Sequence, residues 1–539
     1  MEQLSSTTFD VVVVGAGMTG CGVALDAASR GLSVALLERD DIATGTSSKS
    51  SKMVHGGLRY LQQREFRLVY ENLHERQRLL ENAPHLVSPL PFLIPLFGKN
   101  GVVSKTVARS YRTALWLYDI TGGWRIGKRF KRVSLDETLA HFPKLDTSRL
   151  VAGFLYYDAK GDDARVALTL ARSAEDRGAV VANYTGVTGY LEENGRVVGV
   201  TAERRRGPRA GERVEVRGKV VVNAAGVWGD EVRNLNGGAG ESIRPAKGVH
   251  LSVPADRLPC DIAAVIPIPA DRRSIFVVPF EHLSYTYLGT TDTDYDGPLD
   301  DPRCTSDDVA YLLNAVNALS SANLTPEDVT GVWAGLRPLV KPDEGKTVRK
   351  RTADLSRRHK VKVERPGLVA VTGGKWTTYR LMAEDTVDAV VGELGNRRRC
   401  RTKRLRLHGY ATAVPAMHGL DAETAEFLWR RYGEDALGVA EIMADRPELA
   451  EFIAPGLPYR LAEVTFAVRH EWALSLADVL ERRTRLSIVD ANAAIAAAPR
   501  VAEVMAAELG WDSARCEAEV AEARGRIAAD LEAAGVLVR

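Results

Sequence analysis

The stretch FDVVVVGAGMTGCGVALDAASRGLSVALLERDD, residues 9 to 41, leaves the N-terminal part of this chain few ways to fold. Four consecutive valines, Val11 to Val14, suit a strand buried on both faces, the kind found in parallel sheets. Gly15, Gly17 and Gly20 follow at G-x-G-x-x-G spacing, ahead of a helix and a second apolar strand. The first glycine permits the turn, the second lets a phosphate approach bare backbone, and the third lets helix pack on strand. Free amides at the helix start then meet the phosphate charge. Glu38 closes the second strand, where a carboxylate takes both hydroxyls of a ribose and repels a 2′-phosphate.

Later segments decide which dinucleotide is expected. No further strand–helix–strand unit follows Glu38; the chain runs instead through DDIATGTSSKSSKMVHGGLRYL, with Ser47, Ser48, Gly56 and Gly57. Two more strand-then-glycine segments come far away, KVVVNAAGVWGD with Gly226 and GLVAVTGGKWTTYR with Gly373 and Gly374. A cofactor touched from so many separate segments reads as FAD rather than NAD. The expected cofactor contacts are Gly15, Gly17, Gly20, Glu38, Ser47, Ser48, Gly56, Gly57, Gly226, Gly373 and Gly374. A helix start at Gly373–Gly374 is suited to stabilise negative charge on the N1–O2 edge of the reduced flavin.

GAGMTG, Glu38, TSSKSSKMVHGGLRYL, VVNAAGVW, KGVH, GTTD, GLRPL and GGKWTTYR stand in that order between about Phe9 and Met382. In this the chain resembles the FAD-dependent, membrane-associated glycerol-3-phosphate dehydrogenases, and LADVLERRTRL resembles part of that family's C-terminal domain. The resemblance implies an α/β fold: a Rossmann-type, D-amino-acid-oxidase-like FAD domain, an interleaved antiparallel-sheet substrate domain and a helical C-terminal domain. It also implies oxidation of sn-glycerol 3-phosphate to dihydroxyacetone phosphate, with electrons passed to a quinone, ubiquinone or menaquinone, and a homodimer. Arg59, Arg337 and Lys375 are three cations beside glycine-bearing backbone that the resemblance places near the flavin, where they suit a phosphate dianion. Tyr60 adds a hydroxyl, and Thr291 belongs to a hydroxyl-bearing wall or to a loop capped by Asp292. Arg337 and Lys375 are assigned to catalysis as well as binding. The general base is expected to be His250, because histidine titrates near neutral pH, with His55 as the alternative.

Bulk properties narrow the partners. With 72 basic and 70 acidic residues the formal net charge is +2, which gives no general attraction to nucleic acid. Five cysteines, odd in number and without a CxxC pair, point to a reducing compartment with neither disulfide frame nor zinc site. No basic run precedes the first apolar stretch, so no secretory signal is expected, and glycines interrupt Val11–Leu25 too often for a spanning helix. One local segment is different. Nine basic residues and a single acid, Asp119, lie between Lys99 and Val133, interleaved with Tyr111, Trp116, Tyr118, Trp124 and Phe130. On a helix, Lys105, Arg109 and Arg112 fall on one face and Val107, Tyr111, Ala114, Leu115 and Tyr118 on another. That pattern suits contact with an anionic membrane surface, or an amphipathic helix packed on its own domain. The chain is accordingly expected in the cytoplasm, attached peripherally to the inner face of the cell membrane.

The expected organisation is a discontinuous FAD-binding domain (1–95, 150–240 and 366–392), a membrane-contact segment (96–149), a β-rich substrate domain (241–365) and a helical C-terminal domain (400–539). Three rival readings stand beside it. They are a soluble glycerol-3-phosphate oxidase that passes electrons to oxygen, a flavin-dependent RNA-modifying or RNA-binding protein, and an inert FAD scaffold.

Overall fold

Residues 2–62, 65–98, 104–237, 240–268, 273–341 and 358–539 are described by a computed structural model. The valine strand Phe9–Val14 lies inside the first sheet, pairing in parallel with Val34–Leu37 on one side and Arg213–Asn223 on the other. Val11 and Val13 join one apolar cluster, with the helices Met18–Ser29, Asp163–Glu175 and Tyr379–Glu393; Val12 and Val14 join a second, with the meander Thr185–Glu193 and Arg196–Arg204. Both faces of the strand are thus covered, which is why it carries no polar alternation. Leu368–Gly373 extends the parallel order beyond Arg213–Asn223, and Val180–Ala182 extends it beyond Val34–Leu37. The basic run 203–213 forms an exposed hairpin turn between paired strands, as its charge suggests.

Among the described residues the second sheet has ten strands. Ile243–Pro254 pairs antiparallel with Gly331–Val340, with His250 opposite Trp333, and Val87–Phe97 pairs antiparallel with Leu150–Gly161. Helices Leu58–Gln62, Phe66–Asn82 and Lys105–Ile120 cover one of its faces around Phe92, Tyr156 and Trp333. The C-terminal helices, among them Leu461–His470 and Ala491–Leu509, cover the other around Val249, Leu251 and Leu288.

This corrects the expected boundaries. Met53–Val54, Leu150–Gly161 and all but the last two residues of Val87–Phe97, assigned above to the FAD domain, are strands of the second sheet, and His359–Arg365, assigned to the substrate domain, is an edge strand of the first. An apolar run specifies a strand, but only long-range pairing decides which sheet takes it. The helix Lys105–Ile120 also spends its apolar face at home: Leu115 and Tyr118 are buried in the domain, while Trp116 and Ile120, each 54% exposed, share the outward side with Arg109 and Arg112. The side chains of Lys105 and Val107 lie outside the described residues, as does Lys99.

An ionic knot joins the C-terminal domain to the loop after Glu38. Asp41 accepts from Arg483 Nη2 at 2.9 Å and Arg482 Nε at 2.6 Å, and Arg482 also reaches Asp478 at 2.7 Å. Arg483 and Asp41 are fully buried. Burial alone would raise the Asp41 carboxyl, but Arg483 and Arg482 outweigh it and hold it below the usual range. A few residues on, Arg485 donates to the Ser48 carbonyl and to Asp163 at 3.0 Å, and Lys52 reaches the same Asp163 carboxylate at 3.3 Å.

Removing one partner of a buried pair strands the other, so Arg483→Ala should lower the unfolding free energy by about 3–5 kcal/mol in urea titrations. Arg500→Ala, which breaks an exposed pair with Glu451, should cost at most about 1 kcal/mol. Because the folded Asp41 pKa is depressed, its contribution is complete above the unfolded value and is lost only as pH falls through the folded one.

Candidate FAD and substrate site

A cavity of about 430 Å³ runs between the two sheets. Its nucleotide wall is built by the first sheet. Gly15 has φ +101°, and a Cβ there would come within 2.8 Å of the Ala224 carbonyl; a Cβ at Gly20 would sit 1.8 Å from the Gly15 carbonyl. Gly20 therefore serves helix packing and does not line the cavity, whereas Gly15 and Gly17 do. Glu38 also lines it, its carboxylate accepting from the Ala16 amide at 2.7 Å and the Asp40 amide at 3.0 Å. Burial raises the Glu38 carboxyl, with the two amides pulling the other way. Ser47 lines the cavity and accepts the Met18 amide at 2.8 Å, at the start of the glycine-rich helix. A Cβ on Gly226 would meet nothing within 4 Å, so bare backbone faces open space there. Gly373 and Gly374, at φ +76° and +80°, turn the chain from strand to helix beside the same space.

The second sheet supplies the opposite wall. Arg337 lies across Gly248, where a Cβ would come 2.3 Å from Nη2, and its fork is set by the Lys247 and Thr291 carbonyls, Thr290 Oγ1 and Asp292 Oδ1 at 3.1–3.3 Å. Lys375 lines the cavity with its ammonium 3.8 Å from the centre of the Tyr60 ring. His55 and His250 line it too. The imidazole of His250 stacks on Trp333 at 4.8 Å and 7°, and its Nε2 meets Ser51 Oγ at 2.7 Å. Burial, then the Lys52 and Arg337 cations, hold His250 well below the usual histidine range, so it is neutral at physiological pH. Burial and Arg485 also bring Lys52 down to about 8.

Several expected contacts lie elsewhere. The Gly56 amide, read as facing the cofactor, is engaged by Tyr118 Oη at 2.9 Å and Asp158 Oδ1 at 3.2 Å, and its carbonyl accepts from Asn72. Neither Gly56 nor Gly57 lines the cavity; Gly57 leaves room for the Tyr60 ring, which a Cβ would meet at 2.3 Å. Ser48 is buried toward the C-terminal domain. The Thr291 hydroxyl accepts the Val249 amide at 3.1 Å and is sealed inside the sheet. Tyr60 supports Lys375 instead of lining the cavity itself. The Arg59 side chain lies outside the described residues. Sequence reasoning missed Ser51, Arg39 and Trp228 among the lining residues; Arg39 sits over the Trp228 ring at 4.9 Å. Trp228 and Ser51 stand within quoted motifs, VVNAAGVW and TSSKSSKMVHGGLRYL, but nothing local marks Arg39.

Bare backbone, a ribose-competent carboxylate and a helix start along one elongated cavity fit FAD and define an FAD-dependent oxidoreductase. The chain matches the family described as "FAD dependent oxidoreductase" over residues 10–389 and "C-terminal domain of alpha-glycerophosphate oxidase" over residues 400–516. It is 42% identical to glycerol-3-phosphate dehydrogenase 2 of Mycobacterium tuberculosis, with 98% of this chain and 90% of that one aligned. It is 38% identical to the mitochondrial glycerol-3-phosphate dehydrogenase of Mus musculus, covering 96% of this chain and 73% of the other. The FAD complex of glycerol-3-phosphate dehydrogenase from Bacillus halodurans superposes with a TM-score of 0.79 at 30% identity, over 98% and 96% of the two chains. The chain belongs to the FAD-dependent glycerol-3-phosphate dehydrogenase family, and its cofactor is FAD.

Replacing Glu38 by Ala removes a charged acceptor worth about 1.5–3 kcal/mol. FAD should then dissociate roughly tenfold to a hundredfold more readily, as read from free flavin after dilution and filtration.

Proposed function

We propose that this enzyme oxidises sn-glycerol 3-phosphate to dihydroxyacetone phosphate and passes the electrons to a membrane quinone. The observation that carries the reading is the convergence of Arg337, Lys375 and neutral His250 on the cavity that holds Glu38 and the glycine loop. Bound FAD supplies the hydride acceptor. Arg337, held by Asp292 and Thr290, presents a guanidinium that cannot swing away, and Lys375 adds a second charge for the phosphate. His250, already neutral, is the ultimate acceptor of the alcohol proton, with His55 as the alternative base. The names of the relatives support the substrate, since three of the proteins described above are glycerol-3-phosphate dehydrogenases.

Oxygen is the second candidate acceptor, because the C-terminal region matches the domain described for an alpha-glycerophosphate oxidase. The quinone reading is favoured by the surface. Phe66, Tyr70, Trp116, Ile120 and Trp124 are each about half exposed or more on the helices and turn that carry Arg109, Arg112 and Arg125. Aromatic and basic side chains together suit the headgroup layer of an anionic bilayer. No helix among the described residues is long and apolar enough to cross a membrane, so attachment in this proposal is peripheral, at the cytoplasmic face, by a homodimer.

Anaerobic mixing with sn-glycerol 3-phosphate should bleach the flavin near 450 nm, and glycerol should not. A quinone analogue should restore the colour faster than oxygen; the reverse order would make the protein an oxidase. Arg337→Ala should raise KM or lower turnover by tens to hundreds of fold, the loss of one or two charge-assisted hydrogen bonds. Sedimentation with anionic vesicles tests the surface: the Trp116→Ala/Ile120→Ala double variant should bind several-fold more weakly, and high salt should weaken both proteins.

A further inference from the structure

His250 does not meet the cavity through a free ring nitrogen. Its Nδ1 is buried and has no hydrogen-bond partner among the described residues, and its Nε2 is covered by the Ser51 hydroxyl at 2.7 Å. The ring has little room to turn. One face lies flat on Trp333, and a Cβ at position 289 would fall 2.2 Å from His250 Cδ2, so glycine there leaves space for the imidazole and nothing more. A proton can therefore enter or leave His250 only past Ser51.

Ser51 is held as firmly as the histidine. Its carbonyl accepts from Tyr287 Oη at 3.1 Å; the preceding Ser50 donates its amide to Asp163 at 2.8 Å and accepts from Trp333 Nε1 at 3.2 Å. The following Lys52 sits at φ +54°, a conformation that an L-residue adopts only when its surroundings impose it. With the backbone pinned on both sides, the mobile part of Ser51 is its hydroxyl, which lines the cavity beside His250.

We propose that Ser51 is the proton relay of the reaction: its Oγ takes the proton of the substrate's secondary alcohol while its own proton passes to His250 Nε2. This rests on the reading of the site as the centre that oxidises the secondary alcohol of sn-glycerol 3-phosphate. In the step the O–H bond of the substrate breaks and an Oγ–H bond forms; the former Oγ–H bond breaks and an Nε2–H bond forms. The substrate carbon loses its hydrogen as hydride to FAD, the oxidant, and a C=O bond replaces C–OH. Lys52 and Arg337 face the resulting imidazolium, with Asp163 and Asp292 paired behind them, so the charge is not retained there and the proton returns to water through Ser51 once product has left.

The test uses the FAD-loaded enzyme and sn-glycerol 3-phosphate, with anaerobic flavin bleaching followed in a stopped-flow instrument from pH 6 to 9 in H₂O and D₂O. General acid–base assistance is worth about 10²–10⁴-fold. Ser51→Ala should slow bleaching by about 10² or more with substrate affinity within a few-fold, and should abolish the solvent isotope effect. Ser51→Thr, which keeps the hydroxyl, should recover to within about tenfold. A readout independent of turnover is the ¹⁵N spectrum of histidine-labelled, substrate-free enzyme, with the His250 signals assigned by their absence in His250→Asn. Ser51→Ala should shift the His250 Nε2 resonance, and Ser51→Thr should restore it. Wild-type bleaching rates in Ser51→Ala, with an unchanged pH profile and isotope effect, would overturn the relay and leave the substrate assignment standing. A wild-type enzyme that the phosphate ester does not bleach would overturn the functional reading and the relay together.

Discussion

The buried pair of Asp41 with Arg482 and Arg483 is the contact on which the site depends. It ties the C-terminal domain to the loop that leaves Glu38 and runs through Ser47, Ser51 and Lys52. Asp478 joins it through Arg482, and a second cluster a few residues on, with Arg485 and Lys52 both on Asp163, reaches the cavity wall. Ions so deeply buried are expensive to desolvate and contribute little net stability against an apolar replacement. Their value here is geometric, because after Ile42 and Ala43, which are buried in the first core cluster, the loop runs through threonines and serines that would otherwise sample many conformations. The C-terminal helices thus do more than cover the second sheet. They fix where the cavity-lining loop stands.

How much of this was legible in the sequence follows the range of the interactions. The valine strand, the glycine loop and Glu38 act on neighbours within one strand–helix–strand unit, and each stands where its spacing placed it. The Gly56 amide is engaged by Tyr118 and Asp158, 62 and 102 residues away, and nothing in HGGLRY announces them. Thr291 reads equally as part of a hydroxyl-bearing wall or of a loop capped by Asp292; it stands in the link between Tyr285–Gly289 and Thr293–Asp294, with its hydroxyl accepting the distant Val249 amide. The sheet assignment of Val87–Phe97 and Leu150–Gly161 was equally invisible, since those strands pair with each other and then with segments far along the chain. The amphipathic helix was recognised correctly as amphipathic, but the apolar stripe was the inward one.

The cavity also shows how one arginine can be both restrained and available. Arg337 spends hydrogen bonds on Asp292, Thr290 and two carbonyls, yet it remains a fifth exposed, and Gly248 lets its planar group lie against the strand. A guanidinium has five donors in a fixed fork, so several can be anchored while others face a ligand. A lysine there would have three donors on a flexible stem and would lose that orientation.

The helix Lys105–Ile120 carries a consequence that reaches from the surface inward. Trp116 and Ile120 point outward, while Tyr118, between them in sequence, is buried and holds Gly56 and Asp158. Outer face and glycine loop are thus two sides of a single rigid rod about a turn long at that point. A load applied to the outer side would be felt at the loop without any intervening hinge. The outer surface and the loop beside the cavity wall are in that sense one mechanical variable, and the residues that shape the first cannot be varied independently of the second.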